Sequence, residues 1–547
     1  MTSKSKYLFI PLIVIVFSGF FKGDGDIYFQ VSKNIDIFGR VYKEAAFNYV
    51  DQLNPEEFMV SGINGMLASL DPYTVFMDEK RKGDIDLLTS GKYGGIGVSI
   101  GLRNNNITII DILDGYSAQR QGIRIGDILT MVNNTKVTKE NFEEVSSLVK
   151  GTPGTEVELT IQRGTDEILK VKLQREEVSV KNLVYGNFVP ENSNNVYLKL
   201  VGFSRTAGDE MQKILNELKN KKEIKSVVLD LRGNPGGLLE AAVDVCEKFL
   251  KKYQLIVSVK GRDSTGSKAY HSREEPAVGN AKVIVLVDSS SASASEIVTA
   301  AIQDHDRGVI LGTNTFGKGL VQTIVPLSYN TSLKITTAKY FTPSGRCIQK
   351  INYSKNNKIF ADNNIAGGKS YMTDNNRKVF DAGGIRPDTF VVNNTEINII
   401  EDLQSKGLIF KFATNFTSRQ KKEDFVKTSS DVIYNSFLEF LKMQNYSYKS
   451  KAEKQISELL STAEKEKYSR VIINQLEGLE GKIKDLRDIE IKNHKNDIVA
   501  NLKNEIITRY EGSLGRIRES LNTDKQFNVA LDVILNEGIY KHLLTHH

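Results

Sequence analysis

The sequence predicts a multidomain protein built around an α/β core. Three observations carry that expectation. Between Asn195 and Tyr340, apolar runs of strand length alternate with amphipathic helical stretches. The chain has 547 residues, 40% of them hydrophobic, enough for several cores. After about residue 395 the composition shifts from Gly-punctuated to charged and helically periodic.

The elements follow in chain order. Lys4 and Lys6 precede an apolar run from Tyr7 to Phe21, shorter than the roughly 20 residues of a membrane span. This predicts an export signal over 1–26, cleaved or kept as an anchor close to the membrane. The body of the chain is then expected outside the cytoplasm, in a periplasm or cell envelope. Residues 27–90 read as a helical segment. Ile35, Phe38, Tyr42, Ala45 and Tyr49 recur at helical spacing within Val31–Val50, a second helix covers Glu56–Leu70, and Asp71-Pro72 makes a turn.

Residues 91–176 carry Tyr93-Gly94-Gly95-Ile96-Gly97-Val98 and, about thirty positions on, Gly126-Asp127-Ile128-Leu129. Together these resemble a PDZ domain. Glycines let successive N–H groups converge on a carboxylate, and the peptide then adds as a strand to a sheet edge. The resemblance assigns the carboxylate loop to Gly94, Gly95, Ile96, Gly97 and Val98, with Glu140–Val149 as the helix beside the groove.

The core, 177–395, is read as strand Asn195–Leu200, helix 205–220, strand Val227–Leu231, helix 238–250, strand Val283–Val287, helix 293–303, then strands to Tyr340. Two features in it point to chemistry. Ser293-Ala294-Ser295-Glu296 opens a helix, and Lys318 sits between glycines in Thr315-Phe-Gly-Lys-Gly319. A serine hydroxyl attacks only when a base takes its proton. A lysine can be that base when neutral, which burial among apolar groups favours. Each has a plainer reading alone: Ser-x-x-Glu is a capping box, and a lone lysine in a Gly-rich turn is usually solvated. The first does not exclude chemistry, because a helix N-terminus offers unsatisfied N–H groups and a positive dipole end, which suit an oxyanion. Gln322 shares a face with Lys318 in either a strand or a helix and could orient it. Upstream, a buried strand runs into Arg232-Gly-Asn-Pro-Gly-Gly237, whose N–H groups could serve an oxyanion hole, a phosphate, or only a turn. The Gly-Lys-Ser/Thr ending of a P-loop is missing.

Together with Tyr340-Phe-Thr-Pro-Ser-Gly-Arg346 and Gly383-Gly-Ile-Arg-Pro-Asp388, these motifs resemble, in order and spacing, the carboxyl-terminal processing peptidases, or tail-specific proteases. The resemblance covers about residues 30–395. It implies a serine endopeptidase with a Ser/Lys dyad and an inserted PDZ domain: Ser293 the nucleophile, Lys318 the general base and Gln322 its orienting partner. The amide of Ala294, with that of Gly236 or Gly237, would form the oxyanion hole. Asp304 matches an acidic position that some members need, and is read as structural support. No cofactor is implied.

Other chemistries fit less well. None of the six histidines falls in a nucleophile motif, and His305 lies twelve residues after Ser293, about 18 Å along a helix axis. No metal-ligand spacing is present. Cys246 and Cys347, the only cysteines, read as small buried hydrophobes rather than a disulfide. The net charge of +6 is spread without blocks, which argues against nucleic acid. A polar stretch at 351–378 reads as a surface insertion.

Residues 396–547 read as a C-terminal helical domain for packing, self-assembly or adaptor binding. Phe425, Ile433, Phe437 and Phe440 suit one amphipathic helix, and Ile483–Arg509 a longer charged one. The expected protein is an exported endopeptidase whose partners are polypeptides with exposed C-termini. A non-catalytic PDZ adaptor, or another acyl-transfer hydrolase of the same architecture, is the alternative.

Overall fold

The structure, a computed structural model, describes residues 24–79, 87, 90–103, 105–163, 167–262, 267–351, 368–381, 383–393, 398–485 and 487–545. The apolar run Tyr7–Phe21 and most of the polar stretch 351–378 lie outside them. Among the described residues, no helix is long and apolar enough to cross a membrane. The chain forms two compact units, one of residues 24–79 with 322–336, the other of the remainder.

In the smaller unit, helix Asp24–Asn48 is followed by helix Pro55–Leu67. Asn54 caps the second, its Oδ1 accepting from the Glu56 and Glu57 amides, and Pro55 stands at the first helical position, where no N–H is needed. Tyr42 stacks on Phe58 at 5.7 Å between ring centres. Val75–Met77 pairs antiparallel with the start of strand Ser332–Phe341.

In the larger unit the PDZ-like region has its own apolar core, Ile96, Ile107, Ile109, Leu129, Leu159 and Ile161 among it. Strand Val98–Arg103 ends its sheet, hydrogen-bonded on one side to Asn106–Ile112. The α/β core is a six-stranded sheet in the order Leu183–Phe188, Asn195–Leu200, Ser226–Asp230, Lys282–Val287, Val309–Gly312, Thr389–Phe390. Its first pair is antiparallel and the rest are parallel. Parallel strands are covered on both faces, which is why Val283–Val287 reads as an unbroken apolar run. Val227, Leu229, Val283 and Val285 face helices Ala207–Lys221, Leu239–Cys246 and Ala294–Asp304.

The opposite face is covered by helices of the C-terminal region. Val228, Ile284 and Leu286 pack against Leu521, Phe527, Ala530, Val533, Ile534 and Tyr540. The last helices, Lys525–Leu535 and Glu537–Leu543, therefore pack on the sheet. Burial of each such large side chain contributes about 1.5–3 kcal/mol. The helical domain proper has a separate core around Phe412, Phe437, Leu502 and Ile506. Phe425 lies in a short helix, Lys422–Lys427, apart from Ser430–Met443, because Ser429 caps a new start. The expected helix Ile483–Arg509 is divided among Arg470–Asp485, Arg487–Asn493 and Lys495–Ser520. Cys246 is buried, Cys347 half-buried, and both thiols are free.

Candidate active site

Three turns meet at the carboxyl ends of the parallel strands, where open α/β sheets bind ligands. The first leaves Asp230. This fully buried carboxylate receives Tyr197 Oη at 2.5 Å, Lys199 Nζ at 3.1 Å and Arg232 at 2.6 Å. Burial pushes it up, but Arg232 and Lys199 outweigh that and hold it at about 2. The Gly-rich turn follows. Gly233 N–H donates to Asp288, and Asn234 ties the turn to its neighbours through Leu200 O, Ala292 N and Ser295 Oγ. A Cβ built on Gly236 would lie 2.6 Å from Ala292 O and 2.9 Å from Ala294 N, so only glycine lets this turn lie against the serine.

The second turn ends in Ser293, at φ 55° and ψ −110°, a conformation that costs a non-glycine residue about 1–3 kcal/mol. It stands at the N-terminus of Ala294–Asp304, a helix buried along its whole length. The third turn carries Lys318, half-buried.

Glu296 joins the second and third turns. Its carboxyl is fully buried. Oε1 accepts from Thr315 Oγ1 at 2.6 Å and Gly317 N at 2.7 Å; Oε2 accepts from Ser293 N and Lys318 N, each at 2.9 Å. Burial pushes Glu296 up to about 7, against the pull of these four bonds. A second tie comes from Tyr340, whose buried hydroxyl lies 2.6 Å from Lys318 O and 3.3 Å from Ser293 O. The main chains of Ser293 and Lys318 are thus held together by one carboxyl and one phenol. Both ties escaped the sequence reading. Glu296 was legible only as a cap partner, and Tyr340 only as a motif letter.

The remaining expected residues fall as follows. Gly236 N–H donates within its own turn to Asn234 Oδ1 at 2.9 Å. Asp304, buried at the far end of the helix, pairs with the fully buried Arg346 at 2.7 Å and accepts Ser344 N. His305 caps that end, its Nε2 2.7 Å from Leu255 O and its Nδ1 2.8 Å from Asp374. Gln322 lies in the smaller unit, on strand Leu320–Pro326, with Nε2 3.4 Å from Thr336 Oγ1. In the PDZ-like region, Ala118 N–H donates to Ile96 O and Leu113 N–H to Gly97 O. Ile96 is buried in the core and Val98 packs on it, so the loop offers backbone rather than side chains. A Cβ on Gly97 would sit 2.4 Å from Tyr116 Cβ. The edge strand Val98–Arg103 that follows fits the binding of peptide C-termini by strand addition.

A strained serine over a parallel sheet, a Gly-rich turn against it, and a PDZ-type peptide site in the same chain define a PDZ-bearing serine protease. Comparison with known families agrees. Residues 194–358 match "Peptidase family S41", residues 108–163 "PDZ domain" and residues 399–534 "Probable PDZ-protease, C-terminal helical domain". The chain is 36% identical over 349 residues to a carboxy-terminal-processing protease of Bartonella bacilliformis, covering 63% of this chain and 78% of that one. It is 30% identical over 360 residues to the carboxy-terminal processing protease CtpA of Bacillus subtilis, covering 64% and 76%. Among solved structures, the photosystem II D1 C-terminal processing protease aligns at 26% identity and TM-score 0.34, covering 57% of this chain and 89% of that one. The chain belongs to peptidase family S41.

Proposed function

We propose that the protein is an exported endopeptidase that captures the C-terminal tails of unstructured polypeptides on its PDZ domain and cuts them with Ser293 and Lys318. The observation that carries this reading is the Glu296 carboxyl, which takes the main-chain N–H of both residues at 2.9 Å. In the proposed cycle, neutral Lys318 takes the Ser293 proton as the hydroxyl attacks the scissile carbonyl. The amides of Ala294 and Gly237 receive the developing oxyanion beside the helix N-terminus. Lys318 returns the proton to the leaving amine, and water then releases the acyl group by the same steps. Gln322 would orient the lysine. The tail would add beside strand Val98–Arg103 with its carboxylate on the Gly94–Val98 loop. The run Tyr7–Phe21 after Lys4 and Lys6 supports export.

The test is cleavage of an unfolded, tailed substrate with mapping of the cut peptides. Ser293→Ala and Lys318→Ala should each lose cleavage while melting as wild type does, since the pair acts as a unit. Lys318→Arg should be equally inactive, because a guanidinium stays charged. An active Lys318→Arg enzyme would sink the mechanism.

A further inference from the structure

The C-terminal segment reaches the root of the Gly-rich turn. Arg232, the residue before Gly233, has a side chain only 10% exposed. Asp230 holds it on one side. On the other side Asp524 takes it in bidentate fashion, Nη1 to Oδ1 at 3.0 Å and Nη2 to Oδ2 at 2.6 Å, and Gln526 Oε1 accepts from Nη1 at 2.9 Å. These partners stand about 290 residues further along the chain. Asp524 is itself fixed as the N-cap of helix Lys525–Leu535, Phe527 N–H donating to it at 3.1 Å, and that helix is packed on the sheet. Gln526 is anchored in turn through Nε2 to Val391 O at 2.6 Å.

The charges balance as a set. Lys199 and Arg232 are the cations, Asp230 and Asp524 the anions, and Lys199 Nζ also holds Arg232 O at 2.8 Å. Without Asp524 the group carries an unmatched positive charge in a largely buried place, and Arg232 loses its outer wall. A bidentate carboxylate fixes a guanidinium in both distance and plane. The residue so fixed opens the turn whose amide is to meet the oxyanion.

We propose that Asp524 is a positioning residue of the protease, clamping Arg232 so that the Gly233–Gly237 turn stays set for acyl transfer. The C-terminal segment is then a working part of the active site as well as cover for the sheet. This inference rests on the Ser293 reading of the site and goes beyond it, because it assigns catalysis a residue outside residues 30–395.

Asp524→Asn tests it cleanly. Asparagine caps a helix as well as aspartate does, so the fold and the cap are kept while the charge and the bidentate acceptor are lost. Four quantities are read on full-length protein: kcat and KM on a tailed unfolded substrate, the affinity of a peptide boronic acid that forms a tetrahedral adduct on a nucleophilic serine, and the melting temperature. The expected result is a kcat about ten- to a hundredfold lower, the loss a small misplacement of catalytic groups can cause. Boronate affinity should fall in parallel, with KM nearly unchanged, and because the melting temperature should also fall with the loss of one partner of a largely buried pair, kcat is referred to folded enzyme. Asp524→Glu, which keeps the charge, should recover part of both losses. An unchanged kcat, or a lowered melting temperature with kcat per folded enzyme intact, overturns the proposal and leaves Asp524 a purely structural residue. If Ser293→Ala neither stops cleavage nor abolishes boronate binding, the parent reading fails instead and takes this one with it.

Discussion

The two ends of the buried helix Ala294–Asp304 solve one problem in opposite ways. Each buries a carboxyl. At the C-terminal end Asp304 faces the fully buried Arg346 at 2.7 Å. Just past the helix end, Asp306 shares the equally buried Arg377 with Asp388, each at 2.6 Å. Those cations also suit the negative end of the helix dipole. At the N-terminal end, Glu296 meets three N–H groups and one hydroxyl, with no ion pair to it among the described residues. The cation expected nearby, Lys318, offers Glu296 its backbone N–H. The difference teaches how the helix divides its labour. A carboxyl neutralised by arginine locks structure, whereas one held by neutral donors can join the serine and lysine main chains without claiming the lysine as a counter-ion.

The largest effect should come from breaking the structural end. Arg346→Met strands Asp304 in the interior, and removing one partner of a buried pair costs about 3–5 kcal/mol. Denaturant unfolding should show that loss. The double variant Arg346→Met/Asp304→Leu should regain most of it, because an apolar pair leaves no buried charge. If the double variant is as unstable as the single, the pair is not the source of the effect, and the contrast between the two ends fails.

At the other end the change should appear in rate. Glu296→Gln keeps the shape but turns one acceptor into an N–H donor aimed at N–H groups, so at least one tie is lost. We expect kcat to fall about a hundredfold with KM little changed, and stability to fall by about 1–3 kcal/mol. The same residue carries a pH signature. The folded carboxyl titrates at about 7, above its ordinary value of 4.5. The folded protein therefore binds this proton more tightly than the unfolded one does. Its contribution to stability is fully present below about 4.5 and is lost as pH rises to 7, by up to roughly 3 kcal/mol. Comparing unfolding of wild type and Glu296→Gln across that window should show the slope only in wild type. Equal slopes would remove Glu296 as the titrating group.

How much of this was legible follows from how local each cause is. Strands such as Val283–Val287 show in the sequence because burial on both faces leaves an unbroken apolar run. Ser293 and Lys318 show because their neighbours are tied to backbone needs: glycine at positive φ at Gly317, and a helix start at Ala294. The carboxyl of Glu296 does not show. Ser-x-x-Glu says that a side chain turns back to a cap, but not that a loop more than twenty residues later closes over it. Asp524 is hidden for the same reason at larger scale. The pattern of Phe527, Ala530, Val533 and Ile534 announces an apolar face, and nothing in it names the sheet that covers that face. The break before Ser430 was readable, since Ser429 is a good cap, but the apolar spacing of Phe425 and Ile433 runs straight across it.

The smallest expected effect sharpens the comparison most, because it removes one atom. Tyr340 reaches Lys318 O at 2.6 Å and Ser293 O at 3.3 Å from a fully buried ring. Both acceptors are main-chain carbonyls, so the phenol binds the same two residues that Glu296 binds, from their carbonyl side rather than their N–H side. Tyr340→Phe keeps the ring, its packing and the antiparallel pairing with Val259. It deletes only the bridge, at a stability cost of about 1 kcal/mol, that of one buried hydrogen bond. If the bridge only adds stability, kcat should stay at the wild-type value once the folded fraction is matched. If it sets Ser293 and Lys318 relative to each other, kcat should drop several-fold at unchanged KM, and Tyr340→Phe should couple non-additively with Glu296→Gln, because the two ties act on one pair of residues. Strict additivity of the two rate losses would mean that the carboxyl and the phenol act separately, and that the N-terminal end of the helix does not work as one clamp.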